Sequence, residues 1–426
     1  MFRKVGRLAF ASFLSLSIFI IGAGAQDVLT WQDCIKEAQK NHPDLISAEE
    51  GVKQSEAAKK ITASTLFPQV NSNVGAATAK TTSDTSTKTT DTYTYGVTAT
   101  QLLFDAAKTA NDVKAASENI QAARHSYRFT SSFVRFRLRT AFINLLKAQE
   151  LLNITEQIKK IRRDNLILIA LRYESGLEHK GALLTAEANV AQAEFEVTQA
   201  KRALEVAQKE LTKEMGRIQF APMRVEGAFE VNDTSSEKPD FKDFVEKNPS
   251  LGRSVARRNA ASFGVKAAQA NFFPTLSAQA GANKTSSRWL PENDQWNAAL
   301  SLSFPLFEGW LKSAELAGAR SVFNQARADE RSTKDGVVLA LEQAWAALQD
   351  AAENVDVQKK FLTASEERSK IAESQYSLGM IQFDNWTIIE DDLVRAKKAF
   401  LDAQAGAMLA EAEWIQAKGE VLEYAQ

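Results

Sequence analysis

Residues 105–175 read DAAKTANDVKAASENIQAARHSYRFTSSFVRFRLRTAFINLLKAQELLNITEQIKKIRRDNLILIALRYES, 71 residues with neither glycine nor proline. Proline costs a helix interior about 3 kcal/mol and glycine about 1. A run that avoids both predicts one unbroken helix, on the order of 100 Å long at about 1.5 Å per residue. Within it Val134, Leu138, Ala141, Leu145, Ala148 and Leu152 recur at spacings of 4, 3, 4, 3 and 4. That is the seam of coiled-coil-like packing. A helix this long cannot stand alone and needs neighbours along its whole length.

The same pattern returns later in the chain. Asn41-His42-Pro43-Asp44-Leu45 has a counterpart in Asn248-Pro249-Ser250-Leu251, and Leu66-Phe67-Pro68 has one in Phe272-Phe273-Pro274. Pro43 to Pro68 and Pro249 to Pro274 both span 25 residues. Leu103-Phe104-Asp105 matches Leu306-Phe307-Glu308, and Tyr173-Glu174-Ser175-Gly176 matches Tyr376-Ser377-Leu378-Gly379. Phe104 to Tyr173 and Phe307 to Tyr376 both span 69 residues. Two equal spacings around one short indel indicate a tandem duplication. In the second copy Val338, Leu341, Trp345, Leu348, Ala352 and Val355 continue the seam, with Leu138/Leu341, Phe142/Trp345 and Leu145/Leu348 at equivalent positions.

Helix ends are readable. Thr30-Trp31-Gln32-Asp33 carries a cap and an acid three residues on. Asp105 and Glu308 place negative charge where a helix dipole is positive. Gly176 and Gly379 suit the left-handed turn that ends a helix. Each repeat therefore reads short helix, hairpin, long helix, tight turn, returning helix. The expected boundaries are 26–216 for repeat 1 (hairpin about 69–103, long helix 105–175, returning helix 181–215) and 241–420 for repeat 2 (hairpin about 275–307, long helix 308–378, returning helix 384–418). A linker at 217–240 and a tail at 421–426 complete the mature chain.

Between the prolines and the Phe-acidic pairs the period changes to two. Val70, Ser72, Val74 and Ala76 alternate with Asn71, Asn73 and Gly75, and Trp296, Ala298, Leu300, Leu302 and Phe304 with Asn297, Ala299, Ser301 and Ser303. Strands of about 9–12 residues suit a tilted membrane barrel. Tyr93, Tyr95, Trp289 and Trp296 stand where an interfacial girdle belongs, and 81–92 reads as an exposed loop. Alternation alone also fits a pair of soluble hairpins. Four strands leave two open edges, which lipid does not tolerate, so a membrane barrel requires several chains.

The first 25 residues stand apart. Arg3, Lys4 and Arg7 precede an apolar run from Leu8 to Ile21, and Ala23-Gly24-Ala25 supplies a small-residue cleavage site. This layout predicts a secretory signal, cleaved before Gln26. Beyond it no run of 18 apolar residues occurs. One cysteine, Cys34, permits no internal disulfide. The net charge of −1 gives no reason to expect a nucleic-acid partner.

At this point the series of motifs resembles the TolC-type outer-membrane efflux proteins. Leu29-Thr30-Trp31, Asn41 to Leu45, Phe67-Pro68, Phe104-Asp105 and Tyr173 to Gly176 carry the resemblance, repeated in the second copy over about 27–420. It implies a mainly α fold with a small β component: a homotrimer whose chains each give four strands to a shared transmembrane barrel in outer-membrane lipid, above a long helical barrel in the periplasm. The 217–240 linker would join an equatorial belt. The helical tips at Tyr173, Gly176 and Leu177 and at Tyr376, Gly379 and Met380 would dock a periplasmic adaptor (membrane fusion) protein working with an inner-membrane pump, in tripartite efflux or type I secretion. The resemblance also implies an acidic ring at the periplasmic constriction. Asn385 and Ile388 occupy those positions here, with Asp384 one residue away. The expected gate is Asp384, Asn385 and Ile388, and its character stays open between a polar constriction and an apolar Ile388 collar.

Other features have plainer readings. His42, His125 and His179 lack ligand spacing and are expected at the surface or tips, and no metal or cofactor site is expected. Glu390-Asp391-Asp392 reads as a solvated helix face. Arg135, Arg137 and Arg139 cannot share one face and are expected to flank the seam. No nucleophile–base pattern or phosphate loop points to an enzyme, and no catalytic residue is expected. The alternative class is a periplasmic coiled-coil structural or adaptor protein, from which the strand hairpins discriminate. Cargo stays open among drugs, metal ions, metabolites and polypeptides.

Overall fold

The computed structural model describes residues 27–229, 238–289 and 292–424. The expected signal segment 1–25 lies outside them, as do 230–237 of the linker. In chain order the elements are β1 (Asp27–Leu29), α1 (Trp31–Asn41), α2 (Pro43–Ser64), β2 (Gln69–Ser83), β3 (Ser86–Phe104), α3 (Lys108–Glu174), α4 (Lys180–Glu214), β4 (Met223–Val225), α5 (Lys242–Lys247), α6 (Pro249–Ala270), β5 (Thr275–Ser286), β6 (Asn293–Ser303), α7 (Leu311–Ser377) and α8 (Phe383–Ala417), closed by a short 3-10 turn at Leu422–Tyr424. Helix lengths repeat between the halves: α2 and α6 have 22 residues each, α3 and α7 have 67, α4 and α8 have 35.

The helix that opens each repeat is two helices rather than one. In the first, Pro43 cannot continue α1, so it takes the first position of α2. His42 closes α1 and caps α2, its Nδ1 accepting the Asp44 N–H at 3.2 Å. Asn248 does the same for α6, accepting the Ser250 N–H at 2.9 Å. At α1 the expected capping box is present, with Thr30 and Asp33 bonding each other's backbone.

The long helices begin three residues later than the acidic residues suggested. Ala106 and Ala107 take positive φ (52° and 64°), as do Gly309 and Trp310 (61° and 67°), turning the chain from strand into helix. Asp105 stands outside α3 and reaches over this turn, its carboxylate accepting Thr109 N–H at 2.7 Å and the Thr109 hydroxyl at 2.5 Å. It still satisfies a helix-start donor, from one turn further back.

The first hairpin also differs from expectation. Residues 81–92 form paired strands rather than a loop, and the chain turns only at Asp84-Thr85. Threonine is β-branched and fits an extended backbone, and the Thr78 hydroxyl donates across the ribbon to Asp91 at 2.8 Å.

The four long strands form one antiparallel sheet in the order β2-β3-β5-β6. Registered rows divide its faces. Ser72, Val97, Ala282 and Trp296 stand in one row, and Val70, Ala99, Ala280 and Ala298 in the next on the same face. The other face carries Asn73, Gly96, Asn283 and Gln295, then Asn71, Thr98, Gly281 and Asn297. One face is apolar and the other is amide- and hydroxyl-rich. Val74, Trp296, Leu300 and Leu302 are exposed on the apolar side, and β2 and β6 are open edges.

Below the sheet the helices keep the strand order, with α2 against α3, α3 against α6, and α6 against α7. Further down, α4 and α8 take over: α3 packs on α4 and α8, and α7 on α8. The seam residues Leu138, Phe142 and Leu145 and their counterparts Leu341, Trp345 and Leu348 are all buried. They anchor two clusters at mid-length. The first holds Ile35, Met223, Leu211 and Leu422, and the second Phe241, Val245 and Trp414. One seam position is corrected: Val338 is exposed and Val337 is buried in its place, since a straight helix drifts against a strict 3.5-residue repeat.

Candidate functional site

The chain's far end is made of two helical hairpin tips. At the first, Gly176 adopts φ 72°, Gly176 N–H bonds Tyr173 O at 3.0 Å and Leu177 N–H bonds Arg172 O at 2.8 Å. At the second, Gly379 adopts φ 74°, with Gly379 bonding Tyr376 O at 2.9 Å and Met380 bonding Gln375 O at 2.8 Å. Both are Schellman closures. They leave Leu177 and Met380 exposed at the apices.

The two tip tyrosines are not alike. Tyr173 is 38% exposed, whereas Tyr376 is 1% exposed. Tyr376 stacks on Trp386 with centroids 4.5 Å apart, meets Phe383 edge-on, and lies beneath the Arg172 guanidinium at 4.8 Å. Its hydroxyl donates to Glu178 Oε2 at 2.8 Å. Burial first, and the Glu178 carboxylate second, push the phenol's pKa up. Ile169, Ala182, Ala186 and Ala372 complete this cluster between the two hairpins. Tyr376 is thus a packing residue inside the tip, unavailable as a docking surface, because the first hairpin lies over it.

Asp384 and Ile388 sit one turn apart on α8, about 160° to 200° around the helix from Trp386, with Asn385 to one side. All three are exposed, Ile388 by 56%. Among the described residues of the single chain, none covers the face they share.

The acidic triplet beside them is not a solvated face. Glu390 is buried and accepts the Ser369 hydroxyl at 2.5 Å. Asp391 pairs with Arg162 of α3, and Asp392 with Arg368 at 3.6 Å and with Arg395. Further along α8, Lys398 meets Glu196 of α4 and Asp402 meets Lys147 of α3, each at 2.7 Å. Ion pairs therefore run up the seam between α8 and the first hairpin.

Of the histidines expected at the surface, His42 is buried and His125 is half-buried. His42 Nε2 lies 3.5 Å from Glu214 Oε2. His125 packs against Gly252, where a Cβ would collide with its ring. His179 is at the tip and caps α4 through Ala182 N–H at 3.1 Å. The arginine trio divides as three faces require: Arg135 binds Glu420 at 3.0 Å, Arg137 binds Asp44, and Arg139 lies over Trp31 at 4.9 Å. A strap at the C-terminus went unread in sequence. Glu423 accepts Ser131 Oγ at 2.5 Å and Tyr127 Oη at 2.7 Å, and short polar tails of this kind carry no periodic signal. Among the described residues no group of three or more His, Cys, Asp or Glu suits a metal ion, and no helix is long and apolar enough to cross a membrane.

Comparison with known proteins is consistent across sequence and fold. A family model described as outer membrane efflux protein matches residues 34–217 and 242–423. The outer membrane efflux protein BepC of Brucella suis biovar 1 (strain 1330) is 21% identical over 417 residues, covering 97% of this chain and 90% of that protein. A membrane protein from Pseudomonas aeruginosa superposes with a TM-score of 0.83 at 18% identity, covering 91% of this chain and 93% of that one. The Campylobacter jejuni CmeC outer membrane channel superposes at 0.79 and 16% identity, covering 91% and 85%.

Proposed function

This chain belongs to the outer membrane efflux protein family, and from that membership we propose a homotrimeric duct in which three four-stranded sheets close one barrel. The protein is an outer-membrane channel for efflux, extending into the periplasm. The observation that carries the shared-barrel reading is the sheet itself, while the number three follows from the family membership. Its apolar face is bare, both its edges are open, and the helices below keep its strand order. Lipid tolerates such a sheet only when its edges are paired, and copies of the same chain supply those edges in register.

In this arrangement the polar sheet face lines a water-filled lumen and the helical barrel continues it downward. Leu177 and Met380, held out by the Gly176 and Gly379 turns beside Tyr173, dock a periplasmic adaptor that couples the duct to an inner-membrane pump. Asp384, Asn385 and Ile388 form the periplasmic gate, with Ile388 as an apolar collar. The α7–α8 hairpin opens it by parting from α3–α4.

Reconstitution into planar bilayers tests the duct. Discrete conductance steps of uniform size are expected, and Leu300→Asp with Leu302→Asp should abolish insertion, since charge on a lipid-facing strand is costly. A wild-type protein that stays soluble and passes no current would refute the reading.

A further inference from the structure

Helix α6 carries Arg253, Arg257, Arg258 and Lys266 and no acidic residue. Its contacts fix where each side chain stands. Leu251 and Val255 pack into the mid-length cluster with Phe241, Val245 and Trp414. Gly252 faces His125 of α3. On the other flank Ser254 Oγ bonds Thr333 Oγ1 at 3.1 Å, and Arg258 pairs with Glu330 at 3.3 Å, both on α7. At about 100° per residue, Arg253 and Arg257 lie about 200° and 240° from Leu251. Among the described residues this face of α6 is the least covered, with Arg257 exposed and Arg253 half-buried.

Helix α3 divides the same way. Tyr127, Ser131 and Arg135 bond the C-terminal strap, while Leu138 and Phe142 enter the mid-length core. Phe129 and Phe133 emerge on the opposite face, 38% and 42% exposed. The two bare faces meet, because the Arg253 guanidinium lies over the Phe129 ring at 5.4 Å. The opposite sides of α6 and α3 carry α5 and the C-terminal strap. A conduit has to keep these out of its lumen, so in the duct reading this bare face is the inner wall. Since α6 stands between α3 and α7 of its own chain, closing the ring with other protomers leaves it uncovered.

Among the described residues neither Arg253 nor Arg257 forms an ion pair. Burial, and then the charge of Arg257, hold the Arg253 pKa below its usual value. An anion placed between them would relieve both, and guanidinium groups bind anions through charge-assisted hydrogen bonds.

We propose that Arg253, Arg257 and Phe129, repeated around the trimer, form an anion-binding girdle on the duct wall at the equatorial level, accepting anionic cargo with an aromatic or apolar body. The proposal rests on the duct reading and adds a cargo chemistry to it. The arginines supply charge, Phe129 and Phe133 supply an apolar face for the cargo's body, and the low-dielectric wall focuses the field.

The test is block of single-channel current by naphthalene disulfonate added on the extracellular side of the full-length protein in planar bilayers. Arg253→Gln with Arg257→Gln should weaken block on the order of tenfold, while Arg253→Lys with Arg257→Lys, which keeps the charge, should retain it. Equal block in wild type and the glutamine pair would overturn the girdle and leave the duct intact. Equal loss in the glutamine and lysine pairs would show that positive charge at these positions does not hold the anion, and would overturn the girdle as well. A wild-type protein that forms no pores would instead overturn the duct reading, and the girdle with it.

Discussion

The Tyr376 hydroxyl donates to the Glu178 carboxylate at 2.8 Å, tying the tip of one repeat to the tip of the other across 198 residues of chain. Glu178 sits in the first hairpin's turn, and Tyr376 ends the long helix of the second. The bond therefore spans the two bodies that part when the proposed gate opens.

Tyr376→Phe should favour the open tip. Phenylalanine keeps the stack on Trp386 and removes the donor. A hydrogen bond to a charged group contributes about 1.5–3 kcal/mol, so the open fraction should rise on the order of tenfold or more. Larger mean conductance in bilayers, and greater sensitivity of cells to bulky antibiotics, would report it. Unchanged conductance would place the restraint elsewhere, with the Asp391–Arg162 and Lys398–Glu196 pairs as the next candidates.

At the apices, Leu177→Asp and Met380→Asp should weaken adaptor binding while leaving assembly intact, because both side chains are exposed and no core depends on them. Affinity measured against the adaptor should fall on the order of tenfold for the pair. Retained affinity would move the docking surface off the turns.

Stability should fall in acid through Glu214. Burial raises its pKa, but contacts from His42 and Lys213 and the charge of Arg137 outweigh it and hold the group at about 2. A depressed carboxylate contributes stability above its unfolded value of 4.5, and that contribution is lost as pH falls from 4.5 toward 2. The contribution is of order 3 kcal/mol. Glu214→Gln should be less stable at neutral pH and should show a flatter melting temperature between pH 5 and pH 3. Parallel acid profiles for the two proteins would refute the assignment.

Much of this architecture was legible because it is periodic. The 3-4 spacing from Val134 to Ala148 marks a buried seam, and Gly176 and Gly379 mark where the long helices stop. Pro43 and Pro249 mark the repeat, but the helix starts they make were not legible from spacing alone. What periodicity misses is set by asymmetry between the copies. Tyr173 and Tyr376 occupy equivalent motif positions, yet only Tyr376 is roofed by the other hairpin. Glu390 belongs to a charge run that reads as solvated, and its burial follows from Ser369 on a neighbouring helix. The threonines of 81–92 look like loop composition, although their branched side chains suit the paired strands they form. In the Arg253–Phe129 contact, each residue is unremarkable alone, and only the packing of α6 against α3 brings them together.

The collar has its own test. Ile388→Ala should widen the constriction and raise both conductance and drug leakage, because a smaller apolar side chain lowers the barrier to wetting. Ile388→Asp should raise preference for cations in addition. Conductance and leakage that stay at wild-type values in the alanine variant would remove Ile388 from the gate.

The shared barrel is the central claim, and mass determination of the detergent-extracted particle after membrane fractionation tests it most directly. The account predicts recovery with the outer membrane as a particle close to three times the chain mass. A monomer or dimer released with soluble periplasmic proteins would contradict it, since one chain cannot pair the open edges of β2 and β6 in lipid.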